Sequence, residues 1–105
     1  MAELDFDLTV TRDEGGMTRL TLRGELDLGS AAELEQALAE AGSDVLLDLR
    51  GLTFMDSTGV RVLLETAERL GPGLRIVPPA SGEARVTIEQ TGIAPLLPLV
   101  QEDLA

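Results

Sequence analysis

One short and almost continuously apolar segment, Val45-Leu46-Leu47-Asp48-Leu49, constrains the fold of this chain more than any other feature. A strand that is half buried alternates apolar and polar residues, whereas a strand covered on both faces, as parallel strands usually are, is apolar almost throughout. Apolar residues at helical spacing follow it: Val60, Leu63, Leu64, Ala67 and Leu70. We therefore expect a central strand that leads into a packed helix.

The residues before this strand predict a hairpin and a first helix. Apolar and polar residues alternate near the N-terminus, with Leu4, Phe6, Leu8 and Val10 as the apolar ones. Turn residues follow at Glu14-Gly15-Gly16, and the alternation resumes from Met17 to Arg23. This order is typical of two half-buried strands joined by a turn, with Gly24-Glu25-Leu26-Asp27 as a strand end or loop. Ser30 and Glu33 fit a capping box. The helix that they begin has an apolar stripe ending at a glycine: Ala31, Leu34, Leu38, Ala41, then Gly42.

The residues after the second helix predict a shorter strand, a third helix and an edge strand. Gly71-Pro72-Gly73 is a turn, and Leu74 to Val77 is a strand stopped by Pro78 and Pro79. Ser81 fits the cap of a helix ending at Gly92, although the β-branched Val86-Thr87-Ile88 is unfavourable in a helix. Leu96 to Val100 fits an edge strand, where proline is tolerated. The order ββαβαβαβ predicts an α/β fold: one domain over 1–105, with a mixed sheet of about five strands and helices packed mainly on one face.

The residue types that this chain lacks restrict its chemistry. It contains no His, Cys, Lys or Tyr, and all eight basic residues are Arg. Most general bases and activated nucleophiles are drawn from the missing types, so a Ser-His triad, a Schiff base, a phosphate-loop lysine and a thiolate nucleophile are excluded. Disulfides and thiolate metal sites are excluded as well. We expect no enzyme activity, no cofactor and no metal.

Charge and hydropathy indicate which partners to expect. The net charge of −11 disfavours nucleic acid and anionic membranes, and is compatible with a basic protein partner. The first residues are acidic, unlike a signal peptide. The longest apolar candidate for a membrane segment, Ile93 to Val100, is interrupted by Pro95 and Pro98. We expect a cytoplasmic protein with no membrane insertion.

The segment Phe54-Met55-Asp56-Ser57-Thr58-Gly59 holds the candidate functional site, because it places hydroxyls where a strand gives way to a helix. A phosphate on Ser57 would meet the positive end of the helix dipole and free backbone N–H groups. Thr58 is a second possible acceptor. The residues alone favour a plain capping role for Asp56 or Ser57. Gly59 is unfavourable in a helix by about 1 kcal/mol, which suggests that something else requires a bare backbone there, such as close approach by another molecule.

Two pairs of charged residues have alternative interpretations. Asp27 and Asp56 would lie close together if the strand ends before the two helices were neighbours, and paired carboxylates can act as acid and base or bind a divalent cation. Caps and turns are the simpler explanation for both aspartates. Glu65 and Arg69 stand four residues apart on the outward face of the second helix, where such pairs contribute a few tenths of a kcal/mol.

Four segments, in this order, resemble the STAS domain, and within that family the stand-alone bacterial anti-sigma factor antagonists. They are Gly24-Glu25-Leu26-Asp27, Leu47-Asp48-Leu49, Phe54 to Val60 and Glu89-Gln90-Thr91-Gly92-Ile93. The resemblance implies an antagonist that, unphosphorylated, binds an anti-sigma factor that is also a serine/threonine kinase, so that a sigma factor is freed. It further implies that the kinase uses ATP to phosphorylate Ser57, which weakens the complex, and that a phosphatase reverses this step.

The resemblance also implies where a partner binds. The expected partner-binding residues surround the two strand ends and the first turns of the second helix: Asp27, Asp56, Ser57, Thr58, Gly59, Arg61 and Glu65. Three features depart from the family. Arg61 stands where many members have Gly, so that it would either pair with the phosphate or clash with a typical partner. Thr87 replaces an aliphatic residue, and the early end of the chain suggests a short or missing final helix.

Two other functions remain open from the sequence. A STAS subunit that regulates a transporter, for example in a lipid-transport complex, would dock the same helix on an ATPase without any phosphate. A carboxylate-only enzyme or small-ligand binder would need a deep pocket that joins Asp27, Asp56 and Ser57.

Overall fold

The computed structural model describes residues 6–101, which form a four-stranded sheet with three α-helices. The strands are β1 Phe6–Arg12, β2 Thr18–Leu26, β3 Val45–Met55 and β4 Leu74–Val77. The helices are α1 Ala31–Glu40, α2 Ser57–Leu70 and α3 Gly82–Gln90, with 3₁₀ turns at Gly71–Gly73 and Ala94–Leu96. The α/β class is confirmed. The predictions for Leu4 and for a helix at the end of the chain lie outside the described residues.

The sheet has the order β1-β2-β3-β4, so β3 is an inner strand, as its apolar run predicts. Strands β1 and β2 form the predicted antiparallel hairpin, whereas β2, β3 and β4 are parallel. Leu20, Leu47 and Ile76 lie side by side on these three strands and are fully buried. The sheet is therefore mixed, and its parallel part places the carboxyl ends of β2 and β3 together.

The prediction of about five strands is too high, because Leu96 to Val100 does not form a full strand. Only Leu99 in this stretch pairs with the sheet, through a single parallel bridge to Ile76. Pro95 lies in the 3₁₀ turn Ala94–Leu96, and Pro98 has no N–H that could donate a hydrogen bond to a neighbouring strand. The backbone is held at two points instead: Ile76 donates to the Pro98 carbonyl (2.9 Å) and Val100 donates to the Ile76 carbonyl (2.8 Å).

The helices pack mainly on one face of the sheet and share a single aliphatic core with it. The stripe predicted for α1 is confirmed, since Ala31, Leu34 and Leu38 are buried. In α2 the buried face is rotated from the prediction: Leu63 is buried as expected, but its buried companions are Gly59, Val62 and Thr66. The predicted Val60, Leu64, Ala67 and Leu70 pack only partly against the core. Within residues 6–101, no helix is long and apolar enough to cross a membrane.

Serine caps were predicted for α1 and α3, and neither serine side chain caps its helix. Ser30 is the N-cap residue of α1, but its Oγ donates to the carbonyl of Glu25 (2.8 Å) and accepts from the N–H of Asp27 (3.0 Å). The capping box with Glu33 is therefore wrong. A tight loop at the end of β2 brings these backbone groups to the hydroxyl, and sequence spacing does not reveal that loop. Gly42, with φ +85°, follows α1 as predicted.

The face of the sheet opposite the core holds an ion cluster around Asp48, which interrupts the apolar run of β3. The carboxylate accepts hydrogen bonds from Arg19 Nη2 (2.6 Å) and from Arg50 Nη2 (2.8 Å), Nε (3.0 Å) and N (3.1 Å). Hydrogen bonds from the Arg50 side chain are the main cause that lowers the pKa of Asp48 from 3.8 to about 2. Asp48 is thus buried but remains ionised.

Candidate functional site

The candidate site is the junction where β3 ends and α2 begins. Asp56 has the extended backbone of an N-cap residue (φ −102°, ψ −171°). Its Oδ1 accepts from the N–H of Thr58 (2.9 Å) and of Gly59 (3.2 Å). A phosphate on the neighbouring serine would therefore not find these two N–H groups free, contrary to the expectation from the sequence. The same carboxylate fixes the start of the helix at Ser57.

Ser57 is the first residue of α2 and is exposed to solvent, whereas Thr58 is half buried. The hydroxyl of Ser57 lies at the positive end of the helix dipole and beside the carboxylate of Asp56. The residue is therefore accessible from the solvent. Any negative charge added there would be attracted by the helix end and repelled by Asp56.

Gly59 is explained by the chain's own packing and not by another molecule. The residue is buried, and a Cβ at this position would lie 2.5 Å from Met55 Cγ and 3.0 Å from the carbonyl oxygen of Leu26. The absence of a side chain lets α2 lie directly against the ends of β2 and β3. Gly59 therefore positions the first turn of the helix, and its contact with a partner stays a prediction.

Arg61 lies one turn beyond Ser57 and joins the two helices α1 and α2. Its Nη1 is 3.0 Å from Glu65 Oε1 on the same helix and 3.7 Å from Glu35 Oε2 on α1. Glu65 thus pairs with Arg61, four residues before it, and not with Arg69, four residues after it, as the sequence predicted. All three side chains of this cluster are about half exposed.

Asp27 and Asp56 come directly after the ends of the neighbouring strands β2 and β3. This is the arrangement that a pair of interacting carboxylates would require. Leu26 is in register with Met55, and the N–H of Asp56 donates to the Leu26 carbonyl (3.2 Å). The Asp27 carboxylate nevertheless closes its own turn, because Oδ1 accepts from the N–H of Gly29 (3.0 Å). Caps and turns therefore account for both aspartates.

The cavity at this end of the molecule does not unite the candidate residues. It measures about 330 Å³ and is lined by Phe6, Glu25, Asp27, Gly29, Ser30 and Glu33, so that neither Asp56 nor Ser57 belongs to it. Among the residues that the structure describes, no group of three or more acidic, His or Cys side chains is arranged to hold a metal ion. Within residues 6–101, this cavity therefore does not provide the deep pocket joining Asp27, Asp56 and Ser57 that a small-ligand site would need.

Two residues near the site, Leu28 and Glu35, were not identified from the sequence, and Thr87 was noted only as a departure from the family. Leu28 is 77% exposed beside Asp27, and its apolar side chain in a polar loop was the available signal. Glu35 reaches Arg61 only because α1 packs against α2, so no local pattern points to it. Thr87 Oγ1 donates to the carbonyl of Met55 (3.2 Å), which ties α3 to the end of β3 and gives this departure from the family a structural reason.

The fold and the site together define a STAS domain, and the chain belongs to the STAS family. The family model described as "Mlab, STAS domain" matches residues 9–98. Two of the segments on which the resemblance was based, Gly24–Asp27 and Phe54–Val60, are adjacent at the ends of β2 and β3. The family resemblance expected from the sequence is confirmed.

Several relatives carry the name of anti-sigma factor antagonists. The chain is 36% identical over 73 residues to the anti-sigma-F factor antagonist RsfB of Mycobacterium tuberculosis, a match that spans 65% of this chain and 60% of RsfB. It resembles the crystal structure of an anti-sigma factor antagonist from Mycobacterium paratuberculosis with a TM-score of 0.74 and 28% identity, covering 99% of this chain and 92% of that one. Unphosphorylated SpoIIAA shares the fold, with a TM-score of 0.70 at 22% identity over 93% of this chain and 90% of its own.

Proposed function

We propose that this protein is an anti-sigma factor antagonist that is switched by phosphorylation of Ser57. Unphosphorylated, it binds an anti-sigma factor that is also a serine/threonine kinase, and the sigma factor is released. The single observation on which this rests is the exposed hydroxyl of Ser57 at the first position of α2. The names of the relatives from the two mycobacteria support the antagonist role. In this proposal residues 1–105 act as one STAS domain in the cytoplasm.

The chemistry of the switch belongs to the partners. The kinase transfers the γ-phosphoryl group of ATP to Ser57 Oγ: the new O–P bond forms, the bond to the bridging β–γ oxygen breaks, ADP leaves, and the hydroxyl proton passes to a base on the kinase. A phosphatase reverses the modification by hydrolysis, with water as the acceptor. This chain supplies the acceptor alone, which agrees with its lack of His, Cys, Lys and Tyr.

The position of Asp56 explains why a phosphate would release the partner. The phosphate adds a charge of about −1.5 to −2 beside a carboxylate whose hydrogen bonds to Thr58 and Gly59 keep it in place. This charge would have to lose its hydration when the kinase docked again. A coupling of about 1 to 3 kcal/mol, or roughly 5- to 150-fold in affinity, is sufficient to redirect a competition between partners.

The proposed docking surface surrounds Ser57 on two sides. Asp27 and the exposed Leu28 contribute from the end of β2, and α2 contributes its first three turns. The apolar Leu28 gives the surface a side chain that a partner pocket can bury. The residues proposed to contact the partner are Asp27, Leu28, Asp56, Ser57, Thr58, Arg61 and Glu65.

Mass spectrometry after incubation with ATP and anti-sigma factor kinases from the same genome tests the proposal. We expect one phosphoryl group on Ser57 and none on Ser57→Ala, with Thr58→Ala modified like the wild type. Ser57→Asp weakens binding of the kinase, whereas Ser57→Ala keeps it. A kinase that binds the wild-type protein and leaves Ser57 unmodified contradicts the phosphorylation switch.

The second candidate is a STAS subunit that docks on a transport ATPase. One observation favours it: Asp56 already satisfies the first N–H groups of α2, so the helix end is complete without a phosphate. In this case a pull-down recovers a transport ATPase, and Ser57→Ala and Ser57→Asp recover it equally.

A further inference from the structure

Arg61 is held by two weak ion pairs within reach of the proposed phosphorylation site. It shares its guanidinium between Glu65 (3.0 Å) and Glu35 (3.7 Å), and its side chain is 51% exposed. Ion pairs with this degree of exposure contribute little to stability and exchange easily. The arginine is therefore available to a stronger acceptor that appears nearby.

Ser57 and Arg61 are four residues apart on α2, so both lie on one helix face with Cβ atoms about 5 to 6 Å apart. A phosphate on Ser57 would present three acceptor oxygens, and the planar guanidinium binds such groups with two parallel hydrogen bonds. Asp56 cannot neutralise the phosphate, and its carboxylate occupies the N–H groups of Thr58 and Gly59. Arg61 is the basic residue of the first two turns of this helix.

We propose that phosphorylation of Ser57 transfers Arg61 from Glu35 and Glu65 to the phosphate, which makes Arg61 a positioning residue for the modified state. This inference rests on the proposed function, because it assumes that Ser57 carries a phosphate. Of the two roles that the sequence left open for Arg61, pairing with the phosphate or a clash with a typical partner, the proposal adopts the first.

The transfer changes a second surface at the same time. Glu35 and Glu65 line an open groove of about 490 Å³ between α1 and α2, together with Arg69 and the buried Leu38 and Val62. While Arg61 bridges the two glutamates, they are partly neutralised and α1 is linked to α2. Once Arg61 turns to the phosphate, both carboxylates are left without it. Phosphorylation therefore makes the groove more acidic, beyond the reach of the phosphate itself.

A phosphorus NMR titration tests the transfer without a kinase. Phosphoserine is installed at position 57 by genetic encoding, and the second pKa of the phosphate is measured in the full chain. We expect this pKa to be lower by about half a pH unit than in the same protein with Arg61→Gln. Arg61→Lys restores only part of the shift, because an ammonium lacks the planar fork.

A matched control is available on the same helix. Arg69 lies twelve residues beyond Ser57, about 18 Å along the helix axis, so Arg69→Gln leaves the phosphate pKa at the wild-type value. Glu65→Gln removes the competing acceptor and lowers the phosphate pKa further. Equal phosphate pKa values in wild type and Arg61→Gln overturn the inference, and urea unfolding measured alongside shows that both proteins are folded during the titration.

The NMR result and the proposed function fail separately. If no kinase modifies Ser57, the proposed switch is wrong, although the encoded phosphoserine still reports whether Arg61 binds it. If a kinase modifies Ser57 and the phosphate weakens its binding, but the phosphate pKa does not depend on Arg61, the switch stands and the role given to Arg61 is wrong.

Discussion

Replacement of Asp56 by alanine separates the structural and electrostatic roles of the cap beside Ser57. The substitution removes the oxygen that accepts from the N–H groups of Thr58 (2.9 Å) and Gly59 (3.2 Å). Loss of an N-cap side chain costs about 0.5 to 2 kcal/mol of stability. Because two N–H groups lose their acceptor at a half-buried helix end, we expect a loss of about 1 to 2 kcal/mol for Asp56→Ala.

Asp56→Asn is the matched variant, because its side-chain carbonyl can accept the same hydrogen bonds without the charge. Only the attraction between the carboxylate and the helix dipole is lost, which is about 0.3 to 1 kcal/mol. Urea unfolding at neutral pH measures both variants against the wild type. In thermal unfolding, each 1 kcal/mol corresponds to a shift of roughly 4 to 8 °C for a domain of this size.

Binding measurements extend the comparison to function. With Asp56→Asn the phosphate on Ser57 no longer faces a neighbouring carboxylate, so phosphorylation should reduce the affinity for the anti-sigma factor by a smaller factor than in the wild type. An Asp56→Ala protein that is as stable as the wild type, or equal destabilisation by Asn and Ala at position 56, contradicts the capping role of Asp56.

Two further substitutions test the packing and the charges that support the site. The pKa of Asp48 is lowered from 3.8 to about 2, so its ion cluster stabilises the fold above about pH 4, and this stabilisation is lost as the pH falls toward 2. Since Arg19 and Arg50 are partly exposed, we expect Asp48→Asn to lower the free energy of unfolding by about 1 to 2 kcal/mol at neutral pH. The urea midpoint of the variant should also depend less on pH in the acid range than that of the wild type. If both midpoints fall equally with pH, the ion cluster is not the cause of the acid sensitivity. Gly59→Ala gains about 1 kcal/mol of helix propensity but forces a Cβ to within 2.5 Å of Met55 Cγ, an overpacking that costs about 1 to 3 kcal/mol. A net loss of about 1 kcal/mol in urea unfolding is expected, and a more stable variant disproves the close approach.

Much of the fold is predictable from local patterns, because the spacing of apolar residues differs clearly between the strands and the helices. The apolar run at 45–49 identifies the inner strand, and the glycines around residue 15 identify the hairpin turn. The edge strand at 96–100 is mispredicted, because the apolar residues of this stretch are typical of a strand, whereas Pro98 has no N–H for strand pairing. The cap at Ser30 is also mispredicted, since a serine that folds back on a loop has the same spacing as one that caps a helix.

The candidate site divides in the same way between local and tertiary features. Asp56 and Ser57 are identifiable from the sequence, because a strand that runs into a helix fixes which residues stand at the junction. The bridge from Arg61 to Glu35 depends on how two helices pack, and the burial of Gly59 depends on strand ends that are distant in sequence. The ion cluster of Asp48 is also not predictable from the sequence. Its two arginines, Arg19 and Arg50, lie on different strands, so no local spacing brings the three residues together.

The affinity of the anti-sigma factor kinase for this chain, with and without a phosphate on Ser57, tests the central claim most directly. The unmodified protein should bind, and phosphoserine at position 57 should weaken binding by roughly 5- to 150-fold, with Ser57→Ala remaining like the unmodified protein. Equal affinity of the two forms would contradict the account, because the exposed hydroxyl at the start of α2 would then not control the partner.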